Sequence, residues 1–263
     1  MKLRNPFKPG PSVAVVRLQG QISNSGSGLD DPGMGPVIEK AVKRGKPKAL
    51  VLQINSPGGS PVQSSLLAAR IRRVAKEQDI PVFAFVEDVA ASGGYWLACA
   101  ADEIFIDETS IVGSIGVISA GFGFVELIDR YGIERRVHTA GESKSMLDPF
   151  RPRKDEDVAR LDRLLGEIHQ TFIAHVKSRR GDRLADNPDL FTGEIYIGEG
   201  AIRQGLADGI GHLVPEMKRR FGDDVRFRRY GKKRGLLQRF GISLLGGAMT
   251  HVEDRAAFAR FGL

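Results

Sequence analysis

The chain has 263 residues, enough for one full-sized core, and its 41% hydrophobic and 27% charged content is that of a folded globular protein. Its single cysteine, Cys99, excludes an internal disulfide, and the five histidines show no paired metal-ligand spacing, so neither a metal nor another cofactor is expected. The net charge of +7 is accounted for by one stretch, Glu216 to Arg239, where ten basic residues stand against three acids; an anionic surface suits it, and no nucleic-acid partner is expected.

In chain order, "SVAVVRLQG" predicts an opening strand and "KALVLQINS" (Lys48 to Ser56) a second, buried one. After the break "SPGGSP", a helix is predicted from about Val62 to Gln78. It places Leu67, Ile71 and Val74 on one face, with Arg70, Arg73 and Lys76 opposite. "PVFAFVE" predicts a strand, "ASGG" a turn, and the segment through Ala100 a short helix. "EIFID" and "SIVGSIGVIS" read as strands, "FVELIDRYG" as a helix ending at Gly132, and "IERRVHT" as another strand. The strongest periodicity runs from about Lys154 to Arg180, where Val158, Leu161, Leu165, Ile168, Phe172 and Val176 recur at spacings of three and four. "GEIYIGEGAIRQGLADGIG" then gives a short strand, a helix and a glycine stop. Strands alternating with helices predict an α/β fold with mainly parallel strands.

Three glycine-rich breaks follow apolar strands: "INSPGGS", "AASGG" and "SIVGSIGV". In such folds sites form in the crevice beyond the strand ends. Gly58 and Gly59 let backbone amides approach a ligand closely, which suits stabilisation of charge on a carbonyl oxygen; the bland alternative is a tight turn. Ser92 sits where a strand passes into a helix, the layout of a nucleophile elbow, although GxSxG is absent; a helix-capping serine is the alternative. A serine nucleophile needs a base, and no histidine stands in a partner motif. Lys144, in "AGESKSMLDPFRP", fills that role if burial disfavours its charged form; the alternative is an exposed loop lysine. Cys99, inside "WLACAA" with no base nearby, reads as a buried small hydrophobe. Tyr95 and Trp96 suit either a substrate pocket or the core.

"INSPGGS", "DVAASGGYWLACAADEIFID", "GSIGVI" and "ESKSMLDPFRP", in this order, closely resemble the signal peptide peptidase A family of serine proteases, and "TGEIYIGEGAIRQGLADGIG" resembles that family's closing segment. The resemblance covers most of Val13 to about His212. It implies a serine–lysine dyad on the fold shared by the Clp protease and crotonase, with Ser92 as nucleophile and Lys144 as general base. It further implies oxyanion-hole amides at Gly59 and Gly93, and Ser114 orienting the lysine. Tyr95 and Gly58 are candidates for substrate contact. Residues 1–212 are then the peptidase domain and 213–263 a basic, amphipathic C-terminal extension.

The resemblance implies peptide substrates, unfolded or membrane-derived, such as signal-peptide remnants. It also implies a homo-oligomer, a tetramer or octamer, completing the dyad across subunits. A crotonase-like acyl-CoA enzyme and a non-catalytic assembly protein at the membrane are the alternatives. The N-terminal residues hold no long apolar run and no small-residue cleavage site, so the expected location is cytoplasmic. Residues 232–252, where Leu237, Phe240, Leu244, Ala248 and Val252 form an apolar register beside Lys232, Lys233, Arg234 and Arg239, suit either peripheral contact with the inner face of a membrane or a helix docked on the protein's own core or a neighbour.

Overall fold

The computed structural model describes residues 10–24, 28–141, 143–231 and 255–263. In chain order the elements are β1 (Ser12–Gln19), α1 (Asp31–Lys43), β2 (Leu50–Ser56), α2 (Pro61–Glu77), β3 (Val82–Ala91) and α3 (Gly93–Ala98). Next come β4 (Glu103–Ile106), β5 (Ile111–Gly113), α4 (Val125–Arg130), α5 (Asp155–Arg180), β6 (Ile195–Ile197) and α6 (Gly198–Arg203). β7 (Gly209–Ile210), α7 (Leu213–Phe221) and β8 (Arg226–Tyr230) complete the series. The chain divides into two compact units, one made of Met1–Ile115 with Ile173–Leu263 and the other of Gly116–Phe172.

The larger unit is built on one eight-stranded sheet of order β6-β5-β3-β2-β1-β8, with β4 pairing β3 and β7. Every pairing is parallel except β5 with β6. The α/β class with a mainly parallel sheet is therefore the observed one. Parallel strands need both faces covered, and β1 shows it, since Val13, Ala14, Val15 and Val16 are all buried although alternate residues point to opposite faces. Val13 and Val15 join Val51, Phe83, Phe85 and Phe105 under Met217 of α7.

α2 starts where the sequence marks it, with Pro61 in the first turn and the Ser60 hydroxyl accepting from Gln63 N at 3.4 Å. Its buried stripe is Leu67, Ala68, Ile71, Val74 and Ala75. Arg70, expected on the outer face, instead grips α1, donating to both Asp31 oxygens at 2.6 Å and to Glu39 at 2.6 Å.

Three sequence expectations differ from the fold. α1 was not anticipated, although Asp30 caps Gly33 N at 2.9 Å. "IERRVHT" is no strand; the unit Gly116–Phe172 contains no strand among the described residues, and without a ladder partner a β-prone segment stays irregular. Residues 213–230 do not stand outside the sheet: α7 seals one face and β8 pairs with β1, Ser12 opposite Arg226. The apolar register of 232–252 lies outside the described residues.

The smaller unit contains α4 and the start of α5. A chain of rings, Phe122, Phe124 and Phe150, with Arg135 over Phe150 at 5.5 Å, organises it around a cavity of about 590 Å³.

Candidate active site

β3 runs to Ala91 and α3 begins at Gly93, so Ser92 alone makes the turn from strand to helix. It does so at φ 51° and ψ −122°, a region L-residues with a Cβ avoid and which costs on the order of 1–3 kcal/mol. One backbone bond fixes the turn, from Ser92 N to Gly113 O at 2.8 Å. The Ser92 hydroxyl is half-buried and has no hydrogen-bond partner among the described residues. It is therefore no helix cap.

The small residues around Ser92 are required by packing. A Cβ on Gly58 would lie 2.7 Å from Ala91 O and 2.8 Å from both Gly93 N and Ser92 Cβ. One on Gly94 would lie 2.3 Å from Ser56 O, and one on Gly93 would lie 2.4 Å from Ser64 Oγ. The turn after β2 is thus pressed against the turn after β3. Gly58 is buried in that contact, so its role is to hold the serine's turn, whereas Gly59 is exposed.

Two amides flank the hydroxyl. Ile22 bridges Gly59 in parallel fashion, its N–H donating to Gly58 O at 2.8 Å and its carbonyl accepting from Ser60 N at 2.8 Å. In such a bridge the central residue's own N–H points away, which leaves the Gly59 amide directed outward. The first bond of α3 runs from Trp96 N to Ser92 O, so the Gly93 amide precedes it and has no helical acceptor. A Cβ on Gly93 would sit 3.3 Å from Gly59 N, which places the two glycines side by side.

Ser114 follows β5 directly, at φ 51°, with its N–H donating to Glu194 O at 2.7 Å. It is thereby next in chain to Gly113, which holds Ser92. Lys144 lies in the smaller unit, exposed in a turn where its N–H donates to Gly141 O at 3.2 Å, and its ammonium has no carboxylate partner among the described residues. Tyr95, a candidate for substrate contact, is fully buried on the inner face of α3 and donates to Leu206 O at 2.9 Å. Cys99 is fully buried too, and burial pushes its thiol up to about 12. Ile22 was not foreseen, since it comes from a segment with no motif of its own, and Gly113, though within "SIVGSIGV", was not linked to Ser92.

A strained serine between a parallel strand and a helix, with the Gly59 amide directed outward and the Gly93 amide without a helical acceptor, matches the layout expected of a nucleophile elbow. Residues 74–219, more than half of the chain, match the family model described as Peptidase family S49. The chain belongs to peptidase family S49.

Among curated proteins, the Na(+)/H(+) antiporter NhaA of Brucella melitensis biotype 1 is 46% identical over 271 residues, covering 95% of this chain and 37% of that protein. The chloroplastic serine protease SPPA of Arabidopsis thaliana is 30% identical over 209 residues, 76% of this chain and 31% of that one. Protease 4 of Haemophilus influenzae is 31% identical over 213 residues, 76% and 32%. The chain spans roughly a third of the length of each. The ion exchange in the Brucella name is a statement about that longer protein; here no helix among the described residues is long and apolar enough to cross a membrane.

Proposed function

We propose that the chain is a serine endopeptidase whose nucleophile is Ser92 and whose general base is Lys144. The observation that carries this reading is the Ser92 hydroxyl, without a hydrogen-bond partner among the described residues and on a turn held at φ 51° beside Gly59 and Gly93. Neutral Lys144 takes the hydroxyl proton as Oγ attacks the peptide carbonyl, and the two amides receive the charge that develops on its oxygen. Collapse expels the amine, protonated by the lysine, and water then releases the acyl group by the same route in reverse. Ser114 orients the lysine, a role that rests on the family resemblance.

Peptide substrates follow from the family: unfolded or membrane-derived chains, including signal-peptide remnants. A homo-oligomer, tetramer or octamer, gives Lys144 the cover that its exposed turn lacks in one copy. The basic stretch that begins in α7 and β8 and continues past Gly231 favours contact with an anionic membrane on its cytoplasmic side.

Purified protein incubated with casein and fluorogenic peptides tests this reading. Ser92→Ala and Lys144→Ala should each abolish turnover without lowering Tm, and mixing the two inactive variants should restore part of it. Full hydrolysis by either variant alone refutes the dyad.

A further inference from the structure

α3 carries the Gly93 amide at one end and Ser92 at its threshold, yet it is only six residues long. Its entry is held by one backbone bond, to Gly113 O, and by the packing of the glycine turns, whereas its exit is held by side-chain hydrogen bonds. At the exit the chain satisfies three carbonyls internally: Tyr95 O by Cys99 N, Leu97 O by Ala100 N and Ala98 O by Ala101 N. The carbonyls of Trp96, Cys99, Ala100 and Ala101 are served by side chains, as is usual at a helix C-terminus.

Side chains from two other helices take all four. Arg179 of α5 donates Nε to Cys99 O at 2.8 Å and Nη2 to Ala101 O at 2.9 Å. Arg72 of α2 donates to Ala100 O at 3.2 Å. The two guanidinium groups converge on Asp102 Oδ1, at 2.7 Å from Arg72 and 3.4 Å from Arg179. His175, one turn before Arg179, stacks on Trp96 with ring centroids 4.9 Å apart and places Nε2 3.2 Å from Trp96 O. Burial lowers the pKa of His175, which keeps a neutral ring whose Nε2–H donates. Charge-assisted bonds are about twice as strong as neutral ones, and a cation at a helix C-terminus also suits its dipole.

We infer that Arg179 is a positioning residue for Ser92, acting through α3 with Arg72 and His175 to keep the nucleophile's turn and the Gly93 amide in register with Gly59. A helix of this length moves as one piece, so loosening its exit tilts its entry. The inference rests on Ser92 being the nucleophile, and it adds that the reactivity of that serine is set from α5.

Arg179→Met keeps the aliphatic stem and removes both carbonyl caps; Arg179→Lys returns the charge and one donor. The assay is the rate at which a fluorophosphonate labels Ser92, read with hydrogen exchange of the α3 amides and with emission from Trp96, the sole tryptophan. Arg179→Met should label about 10- to 100-fold more slowly, since a displacement near 1 Å costs about that much. Its Trp96 and Cys99 amides should exchange faster and its emission shift to the red, and Arg179→Lys should recover most of the rate. Should Arg179→Met fail to fold, Arg72→Met, which removes one cap, carries the same comparison. A folded Arg179→Met that labels at the wild-type rate, or whose α3 exchange is unchanged, overturns the inference. Wild-type protein that takes no label sinks the peptidase reading instead, and exchange at α3 still decides the clamp.

Discussion

Replacing Gly94 by alanine sets local preference against packing. Gly94 is inside α3, where alanine is intrinsically the better helix former by about 1 kcal/mol. Its φ is not positive, so no backbone strain opposes the change. The obstacle is Ser56 O, 2.3 Å from where the new Cβ would lie, and that gap must widen to at least 3.0 Å. Ser56 cannot retreat freely, because it ends β2 in mid-sheet and pairs with Ala90. Forcing a methyl into such a contact costs about 1–3 kcal/mol, which equals or exceeds the propensity gain, so the variant should be destabilised by up to about 2 kcal/mol. The larger effect is expected on reactivity: α3 must shift by most of an ångström, taking Gly93 and Ser92 with it, and hydrolysis should fall about 100-fold. Guanidinium unfolding and peptide hydrolysis, measured side by side, read the two effects separately. A Gly94→Ala protein that is about 1 kcal/mol more stable and fully active would refute the reasoning.

Ser92→Gly should abolish hydrolysis while raising stability by about 1 kcal/mol, because glycine relieves the positive φ; equal or lower stability by denaturation would mean the turn stores no strain. Glu216 is held down to about 2, from 4.5, first by its hydrogen bond from Arg219 and then by Arg220. A depressed carboxyl stabilises the fold above its unfolded value and loses that contribution as pH falls through the folded one. The full shift corresponds to about 3 kcal/mol, and solvent screening at Arg219, 68% exposed, cuts this to on the order of 1–2 kcal/mol. The gap in unfolding midpoint between wild type and Glu216→Gln should therefore shrink between about pH 4.5 and 2; a constant gap would rule this out.

Periodicity in the sequence located the strands around Val51 and Phe83 and the helix α2, because each buries its apolar positions, and it located α5, although there only Phe172 and Val176 of the predicted stripe are buried. The serine's turn was readable for a different reason, since Ser92 stands among small residues where a predicted strand passes into a predicted helix. α1 escaped because Pro32, Gly33, Gly35 and Pro36 weaken its helical signal, and its stability comes from Asp30 and from the Arg70 grip across to α2. β8 escaped because "RFRRY" reads as part of a charge run, although Phe227 packs against the core cluster. The clamp on α3 could not be read at all: Arg179 and Cys99 are 80 residues apart, and no sequence pattern links them.

The pairing of β1 with β8 has a consequence for biogenesis. Ser12 meets Arg226, so β1 keeps one flank bare until β8, about 210 residues later in the chain, has also left the ribosome. At about 5–20 residues per second, that interval is on the order of 10–40 s. Throughout it "VAVV" offers an apolar open ladder, the kind of edge that recruits neighbouring nascent chains. A chain released before Arg226 would keep that edge permanently, so truncation there should yield an aggregating product rather than a smaller enzyme.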